Sequence, residues 1–71
     1  MPGTLEEMRA KALFFGVETY SADFHGRPKW CLRKLTARGP VLLIMENQPT
    51  WHNTEEEVLQ AYFDRRHKAY L

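Results

Sequence analysis

Cysteine is nearly missing from this chain: Cys31 stands alone among 71 residues, so no internal disulfide can form. No Cys-x-x-Cys or His-x-x-x-His spacing occurs, which removes the donor pattern of a structural zinc site. The four glycines are scattered, and none belongs to a glycine-rich phosphate loop. No apolar run approaches the roughly 20 residues that cross a bilayer; the longest is Val41 to Met45. The acidic start Met1-Pro2-Gly3-Thr4-Leu5-Glu6-Glu7 lacks the basic and apolar segments of a signal peptide. With no cysteine pairs, a reducing compartment is the default. The expectation is a soluble, cytoplasmic chain with no metal, no cofactor and no membrane contact, forming one small domain over residues 1–71.

Catalytic constellations are equally scarce. His25, His52 and His67 fall on a turn, a loop and a helix end, and no nucleophile with an oriented base can be assembled around them. Cys31 reads as a small sheet residue. Glu55, Glu56 and Glu57 read as helix-start residues, since adjacent helical positions do not converge on one face. The chain is therefore expected not to be an enzyme, with no catalytic residue.

What is present is architecture. Apolar residues make up 44% and aromatics 13% of the chain, enough for a core at a size that buries only about 60% of the unfolded surface. Two Thr-x-x-Glu boxes, Thr4-Leu5-Glu6-Glu7 and Thr54-Glu55-Glu56-Glu57, precede apolar repeats. In such a box the hydroxyl and the carboxylate satisfy backbone N–H groups of the first helical turn, so each box marks a helix start. Leu5, Met8, Ala12 and Phe15 recur at helical spacing, widened by Leu13 and Phe14, and Gly16 follows as a left-handed C-cap. This predicts a helix over about residues 4–15. Val58, Leu59, Tyr62 and Phe63 form the stripe of the second helix, whose acidic first turn and basic end, Arg65-Arg66-His67-Lys68, suit its dipole. Ala69-Tyr70-Leu71 follows, and Tyr70-Leu71 is a candidate cover for a sheet face.

Between the helices the period changes to two. Val17 to His25 alternates, His25-Gly26-Arg27-Pro28 is a turn signal, and Lys29 to Thr36 is the returning strand. The alternation breaks at Lys34-Leu35, which predicts a bulge or an early strand end. Arg38-Gly39-Pro40 turns the chain again into Val41 to Met45. The order α-β-β-β-α with short turns predicts an α+β fold: a three-stranded antiparallel meander with both helices on one face. Tyr20, Phe24, Trp30 and Leu32 are expected to point at the helices. Cys31, Arg33 and Leu35 then point away, beside either Leu42 and Ile44 or Val41, Leu43 and Met45. Such an apolar strip rimmed by cations is a candidate partner or dimer surface.

The net charge of +1 conceals an uneven distribution. Arg27, Lys29, Arg33, Lys34 and Arg38 fall between Gly26 and Gly39 with no acid among them. These five cations can border a solvated hairpin edge, steer an acidic protein, or contact phosphates, with Trp30 among them as a stacking ring. Trp51 precedes the second helix, where it can pack back on that helix as a staple or anchor a partner, and packing is the expectation.

The α-β-β-β-α order, with Gly39-Pro40 ahead of the third strand, resembles the double-stranded RNA-binding domain in topology. That family has lysines at the start of its second helix, where they meet phosphates; Glu55, Glu56 and Glu57 stand there instead, and the chain is not assigned to it. The expected function is a non-enzymatic protein-binding module for a partner with an acidic surface. Its partner-binding residues would be Arg27, Lys29, Arg33, Lys34, Arg38 and Trp51. In style it is similar to the short accessory inhibitors of phages and mobile elements, which occlude a host protein. The alternatives are a nucleic-acid-binding regulator using the basic hairpin and a homodimer through the sheet face.

Overall fold

The computed structural model describes the backbone from Thr4 to Ala69 and the side chains as far as Arg65. The element order is α1 (Leu5–Phe14), β1 (Val17–Phe24), β2 (Arg27–Thr36), β3 (Gly39–Leu43) and α2 (Glu55–Ala69). The three strands form one antiparallel sheet in the order β1-β2-β3. Expectations for Arg66, His67, Lys68, Tyr70 and Leu71 side chains lie outside the described residues.

Both helices begin where their threonines place them. The Thr4 hydroxyl accepts a hydrogen bond from the Glu7 N–H at 3.3 Å, and Thr54 accepts one from the Glu57 N–H at 3.1 Å. Each hydroxyl satisfies a backbone donor that has no partner within the helix. At the other end of α1, Gly16 takes φ 76°, a left-handed conformation that most side chains resist. Its N–H bonds the Leu13 carbonyl at 2.9 Å, and the chain passes directly into β1.

The first hairpin fixes which residues share a face. His25 and Gly26 form a two-residue turn with φ of 56° and 83°, the doubly positive geometry that matches strand twist. Phe24 therefore pairs with Arg27, and Tyr20 with Cys31. Directly paired residues project to the same side of a sheet. An even-numbered residue of β1 thus shares a face with an odd-numbered residue of β2. Gly26→Ala, which puts a side chain at positive φ, is expected to cost about 1 kcal/mol; a urea titration read by circular dichroism checks this.

This register corrects the expected orientation of β1. Trp30 and Leu32 face the helices as expected, but Tyr20 and Phe24 lie on the opposite face with Cys31 and Arg33. The residues of β1 that face the helices are Val17 and Thr19. β2 is likewise longer than expected and carries no bulge, because its pairing runs unbroken from Arg27 to Thr36. Lys34 sits on the helix side and exposed Leu35 on the outer side, so the break in alternation reflects what each face meets. Pro28 fits within β2 because its nitrogen, like that of Trp30, faces the edge where β3 does not reach. No ladder bond is lost there.

One core joins the layers. Met8 and Ala12 of α1, Val17, Leu32 and Met45, and Val58, Leu59 and Tyr62 of α2 are buried together. Leu5, Trp30, Leu43, Ala61 and Phe63 pack against this cluster. Leu13 and Phe14, read as part of the α1 stripe, face solvent instead, with Phe14 at 87% exposure. At 100° per residue they fall off the line through Met8 and Ala12.

Candidate functional site

Both helices contribute to the core on one side of the sheet, and among the described residues no helix lies on the outer face. Tyr20, Phe24, Leu35 and Leu42 lie on it by register, and each is 39–47% exposed. Ile44, next after β3, is 67% exposed. Of the two sets that the third strand could have presented, Leu42 is on the outer side and Leu43 and Met45 on the core side.

Trp51 reaches this face through a short extension of the sheet. The His52 N–H donates to the Trp30 carbonyl at 2.7 Å and the Trp30 N–H to the His52 carbonyl at 2.8 Å, so residues beside His52 continue the edge that β3 leaves. His52 then shares the side of Trp30, and Trp51 takes the other. Its ring meets Phe24 edge-on, with centroids 4.8 Å apart and planes at 68°. Trp51 thus packs across the outer face, against the end of the first hairpin. Nothing near Trp51 in the chain announces this contact, since Phe24 belongs to the first strand.

The basic segment is divided by the alternation of β2. Arg27, Lys29 and Arg33 project on the outer side, Lys34 on the helix side, and Arg38 lies in the second turn. Lys29 bonds the Asn53 side-chain oxygen. The Arg33 guanidinium donates to Glu18 at 2.5 Å and lies 4.3 Å from the centre of the Tyr20 ring. Glu18 and Arg33 are directly paired across the strands, and this arrangement holds the guanidinium flat against Tyr20. Of the six proposed contact residues, Arg27, Lys29, Arg33 and Trp51 therefore share one face, while Lys34 and Arg38 do not join it.

Cys31 lies in the floor of this face, paired with Tyr20 and buried. Burial pushes its thiol above the ordinary value, with Arg33 opposing. A thiol held protonated is a poor nucleophile. Among the described residues no group of three His, Cys, Asp or Glu side chains could hold a metal ion.

Glu55 has a role that its place in an acidic run does not announce. It is 7% exposed and accepts from Arg9 Nε at 2.7 Å, from Arg9 Nη2 at 2.5 Å, and from the Thr19 hydroxyl at 2.6 Å. The carboxylate thereby joins α2 to α1 and β1. The Arg9 hydrogen bond holds its carboxyl below the ordinary value; burial opposes and the Thr19 bond adds to the lowering. Glu56 and Glu57 remain exposed at the helix start.

No protein-family model, no curated protein and no solved structure matches this chain.

Proposed function

We propose that this chain is a non-enzymatic protein-binding module that captures an acidic partner on the outer face of its sheet. The observation that carries the reading is one side of the sheet on which Tyr20, Phe24, Leu35 and Leu42 stand exposed, interleaved with Arg27, Lys29 and Arg33 of the central strand and with Glu18. Exposed apolar groups interleaved with cations suit a partner interface, where charge steers encounter and apolar contact supplies affinity. Trp51 and Phe24 form an aromatic pair at the first-hairpin end of that face, and such residues are enriched among binding hot spots. An inhibitor that occludes an acidic host surface would use it in this way.

A variant W51A is expected to weaken partner capture by about 30-fold, the effect of losing a contact worth about 2 kcal/mol. R33E should slow association and remove most of its salt dependence. Both are measured by surface binding kinetics with a partner isolated by crosslinking from the source organism, with urea titrations confirming the fold. Unchanged capture by both variants rules out the outer face.

The rings of Tyr20, Phe24 and Trp51 beside cations also favour a second reading, a face on which single-stranded nucleic acid would stack. The aliphatic Leu35 and Leu42 contribute nothing to base stacking, and Arg33 already occupies the Tyr20 ring; both favour the protein reading. Fluorescence polarisation with labelled oligonucleotides separates the two, because phosphate binding falls steeply with salt. A sedimentation series testing for self-association addresses a homodimer through the same face.

A further inference from the structure

On the helix side of the sheet, a cleft of about 300 Å³ opens between the end of α1, the end of β3 and α2. Val17, Leu43, Met45 and Tyr62 give it an apolar lining, with Phe15 and Ile44 beside them, and its charged lining residues are Lys34 and Arg65. No carboxylate is among its described lining residues. Lys34 enters from β2, paired with Val17 on one side and Val41 on the other. Arg65 is three residues beyond Tyr62 on α2, the spacing that places both on one helix face.

The two ion pairs among the described residues are Arg9–Glu55 and Arg33–Glu18, and neither involves Lys34 or Arg65. A second cleft of about 280 Å³ makes the contrast plain. Arg9 and Glu18 line it, and each is already paired. The α2 dipole accommodates Arg65 near its C-terminal end but gives no reason for a lysine on a strand, and among the described residues neither cation has a carboxylate partner.

The geometry points to a binding site for a small amphipathic carboxylate, its acid group between Lys34 and Arg65 and its apolar chain against Val17, Leu43 and Met45. The volume is at the small end for ligand pockets, which suits one acyl chain or one aromatic ring and excludes a nucleotide-sized cofactor. Opposite charge selects the head, and area removed from water holds the tail.

The test uses the full chain, ¹⁵N-labelled, with decanoate, decanol and decyltrimethylammonium below their micelle-forming concentrations. Decanoate is expected to bind with a dissociation constant of about 0.1–1 mM and to shift the amides of Val17, Lys34, Leu43 and Met45. The cationic probe should leave them in place. A double variant K34Q/R65Q is expected to bind decanoate about tenfold more weakly and to bind decanol as the parent chain does. W51A and R33E, on the other face, should bind decanoate normally, so this site and the proposed partner face stand or fall separately. The inference is overturned if decanoate moves none of these amides, if the cationic probe moves them equally, or if the double variant keeps full affinity. It is equally overturned if a peptide with an apolar, acidic C-terminus occupies the cleft while decanoate does not.

Discussion

Leu32→Ala is expected to lower the free energy of unfolding by about 3–4 kcal/mol, the cost of removing a fully buried side chain and leaving a cavity. Leu32 is 1% exposed at the centre of β2, paired with Thr19 on one side and Leu43 on the other. A chain of this size has about 4–10 kcal/mol in total, so the variant should be partly unfolded at physiological temperature. Leu42→Ala, one strand away on the outer face, should stay within about 0.5 kcal/mol of the parent. Urea titration of the two variants thus tests the assignment of faces directly. Equal losses would mean that the outer face is packed against something after all.

Removing the Glu55 carboxylate is the second large effect. E55A deletes three accepted hydrogen bonds and strips Arg9 of its partner. Arg9 is half exposed and can turn to water, so the loss should be about 2–3 kcal/mol rather than the full cost of breaking a buried pair. The effect depends on pH in a definite direction. Because the carboxyl titrates lower in the fold than in the unfolded chain, its contribution is complete above the ordinary glutamate value of about 4.3. It is then lost as pH falls through the lower folded value. The stability difference between the parent and E55Q should therefore be constant from neutral pH down to about 5 and shrink below that. A difference that grows on acidification would mean that Glu55 is protonated in the fold.

The parts of the architecture that depend on neighbours in the chain were legible in it. A threonine three residues ahead of a glutamate marks a helix start by local hydrogen bonding, and both helices begin at those threonines. Gly16 ends α1 for an equally local reason. The pairing of β1 with β2 was harder to read because a two-residue turn exchanges parity between strands, and the alternation of Tyr20, Ala22 and Phe24 is compatible with either face. Val17, buried in the core with both helices, and Thr19, bonded to Glu55 of α2, decide the matter.

The candidate site divides along the same line. Arg27, Lys29 and Arg33 could be placed together because they share one strand and one parity, while Lys34 belongs to the same basic run and the opposite face. Trp51 reaches the outer face only through the bond of His52 to Trp30, a contact between distant segments. Glu55 looks like its neighbours in sequence, and Arg9, its partner 46 residues away, is one of two exposed cations on α1. Long-range pairing of this kind leaves no local pattern to read.

The placement of α2 after all three strands has a consequence for the chain as it is made. Met8, Ala12, Val17 and Leu32 emerge from synthesis before Val58, Leu59 and Tyr62, their partners in the core. Until those residues arrive, a nascent meander would present apolar side chains to water on both sides, a species open to capture by chaperones or to aggregation. The arrival of α2 closes one of those sides.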